Sequence, residues 1–342
     1  MIFSCYNDSV TYSGETMKKI VIMLMIFIVS STITHAFYAE IFEQRSTGSK
    51  LLELGFRITQ INRVVIDEDI AEAYFELQQS INRMPHEVPF GFYNTTIEST
   101  IHNDTLKVYA FTPENITHDT VIIYIHGGSY VSTASWIHFQ FVDRLSHKTQ
   151  ALVLLPIYPL APEYTHKDAF SQLNAWYQDI IKTHADKNII IMGDSAGGGL
   201  ALGFTQMLAL NNAHLPNQVL LIAPWLDIRL NNDDIQQVQK FDPMLNQSAA
   251  EFLGDAWRGD TDSLYYQVSP IFGSFEGLPP IHIFVGTYDI LYPDVMRLKS
   301  MHPDKDITYH ISEKMIHVYP LFPAMRESRD TFNTIVDLIK KP

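Results

Sequence analysis

The segment Gly193-Asp194-Ser195-Ala196-Gly197 has the clearest chemical content in the chain. It follows an apolar run, Ile189 to Met192, and opens a helical pattern that reaches Leu210. Gly-x-Ser-x-Gly between a strand and a helix is a nucleophile elbow, a turn so tight that glycines are needed two places either side of the serine. It presents the serine hydroxyl at the C-terminal edge of a sheet, above the N–H groups of the following helix. A serine hydroxyl needs an imidazole to take its proton, and the imidazole needs a carboxylate to fix its tautomer. Upstream, the run Val121 to Ile125 leads into His126-Gly127-Gly128-Ser129-Tyr130. Two glycines at a strand end let backbone N–H groups approach a substrate carbonyl, so Gly127, Gly128 and Ala196 are the expected oxyanion donors. His126 precedes those glycines and is expected to orient the loop.

The acid and the base are sought beyond the elbow. Ile281 to Tyr288 ends at Asp289, the expected acid. Its rival Asp294 lies past Pro293, inside the next helical stretch, where a carboxylate suits a helix N-terminus. Ile307 to Ile311 is followed by a loop that reaches His317, the expected base. Among 14 histidines, His310 falls mid-strand and His302 ends a helix, so both are read as structural. The chain order Ser195, Asp289, His317 is the one expected for a sheet that carries such an elbow.

The elements that must hold these residues alternate. Val121–Ile125, Ala151–Ile157, Ile189–Met192, Val219–Ala223 and Ile281–Val285 are short continuous apolar runs. Amphipathic stretches lie between them, near Ser135–Leu145, Lys167–Thr183, Ser195–Leu210 and Pro293–Met301. That rhythm predicts an α/β fold with a mostly parallel sheet, helices on both faces, a last strand near Ile307–Ile311 and a final helix near Ala324–Lys340. Gly91–Glu98 and Thr105–Phe111 alternate around a polar turn and read as an antiparallel pair. Residues 37–90 carry a helical period, including Leu51, Leu52, Leu54, Phe56, Ile58 and Ile61, then Ile66, Ile70, Ala73, Tyr74, Leu77 and Ile81. Asp67, Glu68 and Asp69 mark the start of the second of these helices. The polar stretch Asp227–Ser269 breaks the rhythm, either as an insertion over one end of the sheet or as a crossover with its own helix.

Composition sets the outer bounds. The chain has 342 residues, 46% of them hydrophobic and 18% charged, which excludes a disordered or coiled-coil protein. A net charge of −14 without basic runs gives no electrostatic grip on a phosphate backbone, so nucleic acid is not an expected partner. The lone Cys5 excludes an intramolecular disulfide and a cysteine-based zinc site. Met17-Lys18-Lys19, the apolar run Ile20–Val29 and a Thr-x-Ala ending at Ala36 read as a signal peptide over residues 1–36, with synthesis starting at Met17. An uncleaved anchor, giving a surface-held protein, is the alternative to secretion.

Taken together, His126-Gly127-Gly128, Tyr158-Pro159-Leu160-Ala161-Pro162-Glu163, the Gly193–Gly198 elbow, Ala223-Pro224-Trp225, Ser269-Pro270, Asp289 and His317 resemble the hormone-sensitive-lipase-like branch of the α/β-hydrolases, the fold-3 carboxylesterases. The resemblance runs from Ile122 to the C-terminus. It implies hydrolysis of small-molecule carboxylic esters by a Ser-Asp-His triad with no metal or cofactor. It also implies that residues 37–90 form a helical cap on a catalytic domain spanning 91–342, and that a homodimer can form. Two positions depart from the pattern: Ser129 replaces a third glycine, and Pro159 replaces an arginine. The leading expectation is a serine esterase acting on esters of short to medium chain. An amide or N-acyl hydrolase would use the same groups, and a non-catalytic binding protein on this scaffold would be expected to lack His317.

Overall fold

The computed structural model describes Glu40 and residues 43–59, 68–84, 86–117 and 119–341. The expected signal peptide with Cys5, and Ile61, Ile66 and Asp67 of the helical pattern, lie outside the described residues.

Eight strands form one sheet: β1 (Thr96–His102), β2 (Leu106–Thr112), β3 (Thr120–Ile125), β4 (Leu152–Ile157), β5 (Asn188–Asp194), β6 (Gln218–Ile222), β7 (Ile281–Tyr288) and β8 (Ile307–Ile316). Their spatial order is β1-β2-β4-β3-β5-β6-β7-β8. The pairs β1/β2 and β2/β4 are antiparallel, and β4/β3 through β7/β8 are parallel. Among the described residues, the α-helices are α1 (Thr47–Thr59), α2 (Glu68–Arg83), α3 (Trp136–Thr149), α4 (His166–Thr183), α5 (Ser195–Leu210), α6 (Ile235–Gln239), α7 (Gln247–Arg258), α8 (Tyr292–Met301) and α9 (Arg326–Lys340).

The continuous apolar runs are explained by burial on both faces. Along β3, Val121, Ile123 and Ile125 face a core shared with Phe170 and Leu173 of α4, Leu200 of α5 and Leu298 of α8. Ile122 and Tyr124 face the opposite core with Phe139 and Phe141 of α3 and Ile335 of α9. The two faces follow the strand's alternation of side chains.

Two boundaries differ from expectation. The first strand begins at Thr96, because the buried carboxylate of Asp143 accepts the N–H groups of Asn94 and Thr95 at 2.9 and 3.0 Å. Those donors are therefore unavailable for strand pairing. The last strand runs on to Ile316 through an irregularity at Lys314, whose φ is +58°. The stretch Asp227–Ser269 takes the form of a crossover with helices of its own. It connects β6 to β7 through α6 and α7, and it lays Trp257 flat on Tyr130, with ring centroids 4.3 Å apart.

Candidate active site

The elbow is built as the glycine spacing requires. β5 ends at Asp194 and α5 begins at Ser195, whose φ of +53° lies in the left-handed region. That conformation costs a side-chain-bearing residue about 1–2 kcal/mol and persists only where the surroundings enforce it. A Cβ on Gly193 would sit 2.3 Å from the Gly197 carbonyl oxygen, and one on Gly197 would sit 2.1 Å from that of Ile125. Both glycines are therefore demanded by close backbone approach.

Register places the oxyanion loop beside the elbow. β3 pairs with β5 so that Ile125 lies opposite Gly193, and the residues that follow each strand emerge together. One expectation fails here. The Gly127 N–H donates to Asp194 Oδ1 at 3.0 Å, so it cannot serve an oxyanion. Of the three donors expected, Gly128 and Ala196 remain. The N–H groups of Gly128 and Ser129 donate to no protein acceptor among the described residues. Ala196 lies in the first turn of α5, where N–H groups have no intrahelical acceptor. Ser129 holds a φ of +54° despite its side chain.

Asp194 organises this loop. Besides the Gly127 N–H, its buried carboxylate accepts the Tyr124 hydroxyl at 2.9 Å and the ring of His138 at 3.3 Å. Burial disfavours the charge, but His138, Tyr124 and Gly127 together hold the carboxyl below the usual range. His126 stacks on Tyr158 with centroids 4.5 Å apart and bonds through Nδ1 to the Gly127 carbonyl. Its burial, reinforced by repulsion from His138, pushes its pKa down to about 3 and keeps the ring neutral. Asp194, Tyr124 and His138 are not among the residues expected to shape the site. Asp194 lies in the elbow itself, whereas only its place in the first turn of α3 marks His138.

The acid and base are juxtaposed by β7 and β8. Gly286 pairs with Ser312 and Tyr288 with Ile316, so β8 spends two extra residues across this step. Lys314 absorbs the excess, with its N–H on Thr287 Oγ1 at 2.7 Å. Without that irregularity, the residues after Tyr288 and Ile316 would not emerge side by side. Asp289 follows Tyr288, His317 follows Ile316, and they meet with Nδ1–Oδ2 at 2.8 Å. His317 Nε2 lies 2.9 Å from Ser195 Oγ. An ionised carboxylate only accepts, so the Nδ1–H donates to Asp289 and Nε2 accepts the Ser195 hydroxyl. All three side chains are buried. Burial works against an imidazolium at His317, yet Asp289, Asp242 and Asp194 outweigh it and raise its pKa. The rival Asp294 sits in α8, bonded to Asn232 at 3.0 Å. His310 stacks on Phe284 at 4.2 Å, and His302 packs on Phe275.

Among the described residues, no cluster of three His, Cys, Asp or Glu side chains is arranged to hold a metal ion.

The matched family model is that of the alpha/beta hydrolase fold and spans residues 122–321. The chain is 31% identical to an esterase of Acinetobacter venetianus over 220 residues, 62% of this chain and 68% of the relative. An acetyl-hydrolase of Streptomyces hygroscopicus is 26% identical over 212 residues, 61% of this chain and 71% of the relative. A crystal structure of a Staphylococcus aureus protein assigned as an esterase superposes with a TM-score of 0.78 at 30% identity, covering 82% of this chain and 95% of the other. These similarities and the site define a serine hydrolase of the carboxylic-ester class. The chain belongs to the alpha/beta hydrolase fold-3 family.

Proposed function

We propose that the protein hydrolyses short- to medium-chain carboxylic esters through a covalent acyl-enzyme. The hydrogen-bonded chain Asp289–His317–Ser195 carries this reading. His317 Nε2 takes the Ser195 proton as Oγ attacks the ester carbonyl, and the oxyanion is held by the N–H groups of Gly128, Ser129 and Ala196. The proton then passes from Nε2 to the departing alkoxide. A water molecule repeats the sequence on the acyl-serine and returns the proton to Oγ.

Residues 37–90 and the 227–269 connection act as the cap. Supporting this, Asn82 Nδ2 of α2 donates to the Val131 carbonyl at 2.8 Å, and Ser132 Oγ bonds Gln78 at 3.1 Å. Phe75 of α2 stacks on Phe252 of α7 at 5.0 Å, so the two parts meet over the oxyanion loop. The pattern of residues 17–36 supports export, with a cleaved leader.

The test is a series of p-nitrophenyl esters from acetate to decanoate with the matched anilides. Ester turnover that declines beyond medium chains is expected, with a Ser195→Ala variant about 10⁴-fold or more slower. Equal or better turnover of the anilide would overturn the ester assignment. Failure of a fluorophosphonate to label Ser195 would overturn catalysis by it.

A further inference from the structure

Beneath the triad lies a second buried carboxylate that the proposed chemistry does not use. Asp242 sits in the β6–β7 connection, between α6 and α7, and is 0% exposed. One of its oxygens, Oδ1, accepts the N–H groups of Met244 and Leu245 at 2.8 and 2.9 Å. The other, Oδ2, accepts the Ile290 N–H at 3.0 Å. Ile290 directly follows Asp289, whose own Oδ1 accepts the Leu291 N–H at 2.9 Å. Two carboxylates thus hold consecutive N–H groups of one turn at the N-terminus of α8, where the helix dipole favours negative charge.

We infer that Asp242 is a positioning residue for the triad: it fixes the turn that aims Asp289 at His317, and it lends the imidazolium a second negative charge. This inference rests on the Ser195–His317–Asp289 reading and adds to it a residue from the β6–β7 connection. The position is more than a structural tie, because its geometry joins two functions. The Met244–Leu245 bonds anchor the carboxylate to the connection, and the Ile290 bond passes that anchorage to the acid. A carboxylate buried beside another is destabilised unless something gains from its charge. The N–H groups of Met244, Leu245 and Ile290 offset part of that cost, and His317, the cation of the transition state, gains from the charge as well. The charged or titratable groups that face His317 are Asp289 from the end of β7, Asp194 from the end of β5, and Asp242. Among the described residues, Asp289 and His317 face Asp242. Burial, and then repulsion from Asp289, push the Asp242 carboxyl up to about 6, so its charge is present at neutral pH.

The experiment compares pH profiles of p-nitrophenyl butyrate hydrolysis for wild type, Asp242→Asn and Asp242→Glu. The asparagine keeps the volume and removes the charge and one acceptor. Losing a negative charge lowers the pKa of His317, and catalysis needs its neutral form. The acid limb of kcat/KM should therefore move to lower pH by about half a unit or more. Plateau kcat should fall about 10-fold with KM within about twofold. The glutamate keeps the charge but displaces it, so kcat should fall while the limb stays near its wild-type pH. A folded asparagine variant with an unmoved limb would overturn the inference even if kcat fell, because a purely structural bond would do that much. If the asparagine variant does not fold, wild-type kcat in the glutamate variant would overturn it. A wild-type protein that neither turns over the ester nor takes a fluorophosphonate label would overturn the Ser195 reading and this inference together. An active, labelled wild type with unchanged variants would overturn only the role of Asp242.

Discussion

Single residues in this site titrate far from where the same groups do in water. His126 is the clearest case, since its folded pKa of about 3 lies far below the ordinary 6.5. Burial and the neighbouring His138 keep it neutral, while the unfolded chain would protonate it below about pH 6.5. The sign follows: the folded state binds fewer protons, so the contribution of His126 is intact above pH 6.5 and is lost as pH falls toward 3. One proton gives a slope of about 1.4 kcal/mol per pH unit. Asp242 and Asp294, both pushed up to about 6 by burial, act in the opposite direction, gaining stability as pH falls through 6 toward 4. The whole-protein pH dependence mixes these terms, so the prediction concerns a difference. Between pH 6 and 4, His126→Gln should lose stability with a slope about one proton shallower than wild type, read from urea unfolding at several pH values. Equal slopes would mean that His126 accepts its proton without unfolding.

At the scale of elements, Ser195, Asp289 and His317 stand at strand ends, and strand register brings them together. That explains what could be read from the sequence. Ser195, Asp289 and His317 each follow an apolar run, and the runs identified β5, β7 and β8 with Ser195–Leu210 as the following helix. The irregularity at Lys314 was not legible, because Ser312 to Ile316 holds no glycine, proline, asparagine or aspartate to mark it, and the Met315 carbonyl that closes on Gly286 leaves no pattern in the sequence. Nor was the loss of Gly127 as a donor, because the carboxylate that captures its N–H lies 67 residues away. The pairing of α2 with α7 was also hidden, since it depends on two phenylalanines in segments with separate periodicities. Their stacking at 5.0 Å makes a specific prediction. A double-mutant cycle of Phe75→Ala and Phe252→Ala should show a coupling of roughly 0.5–1.5 kcal/mol in unfolding free energy. Limited proteolysis should also cut near α2 faster in either single variant. Additive losses would show that the helices do not brace one another.

At the scale of the molecule, a cluster of buried charges ties α1 to the C-terminal half. Arg45 is 1% exposed and meets Glu53 at 2.6 Å, while Arg57 reaches the same carboxylate at 2.6 Å and Lys50 lies 3.7 Å away. Around this cluster, Ser46 bonds Glu327 at the start of α9, and Phe56 packs edge-on against Phe322. Arg57 Nη2 donates to the Phe241 carbonyl, and Phe241 stacks on Tyr288 at 4.9 Å. Phe241 precedes Asp242 and Tyr288 precedes Asp289, so α1 braces the turn that carries the acid. Removing the shared carboxylate by Glu53→Ala leaves the buried Arg45 guanidinium with Glu43 at 3.5 Å as its remaining carboxylate among the described residues, besides the Ser49 hydroxyl that accepts its Nε–H at 2.9 Å. A broken buried pair costs roughly 3–5 kcal/mol, and the remaining glutamate places this case near 3 kcal/mol. Burial disfavours the Glu53 charge, but Arg57, Arg45 and Lys50 overcome it and lower its pKa, so its contribution is present above the unfolded value of 4.5 and fades below it. The difference in stability between wild type and Glu53→Ala, measured in urea, should therefore be full at pH 7 and shrink as pH falls below about 4.5. Because the brace ends at the acid turn, esterase activity of the variant should also disappear at lower urea than its far-ultraviolet signal. Coincident transitions would confine the cluster to global stability and separate it from the site.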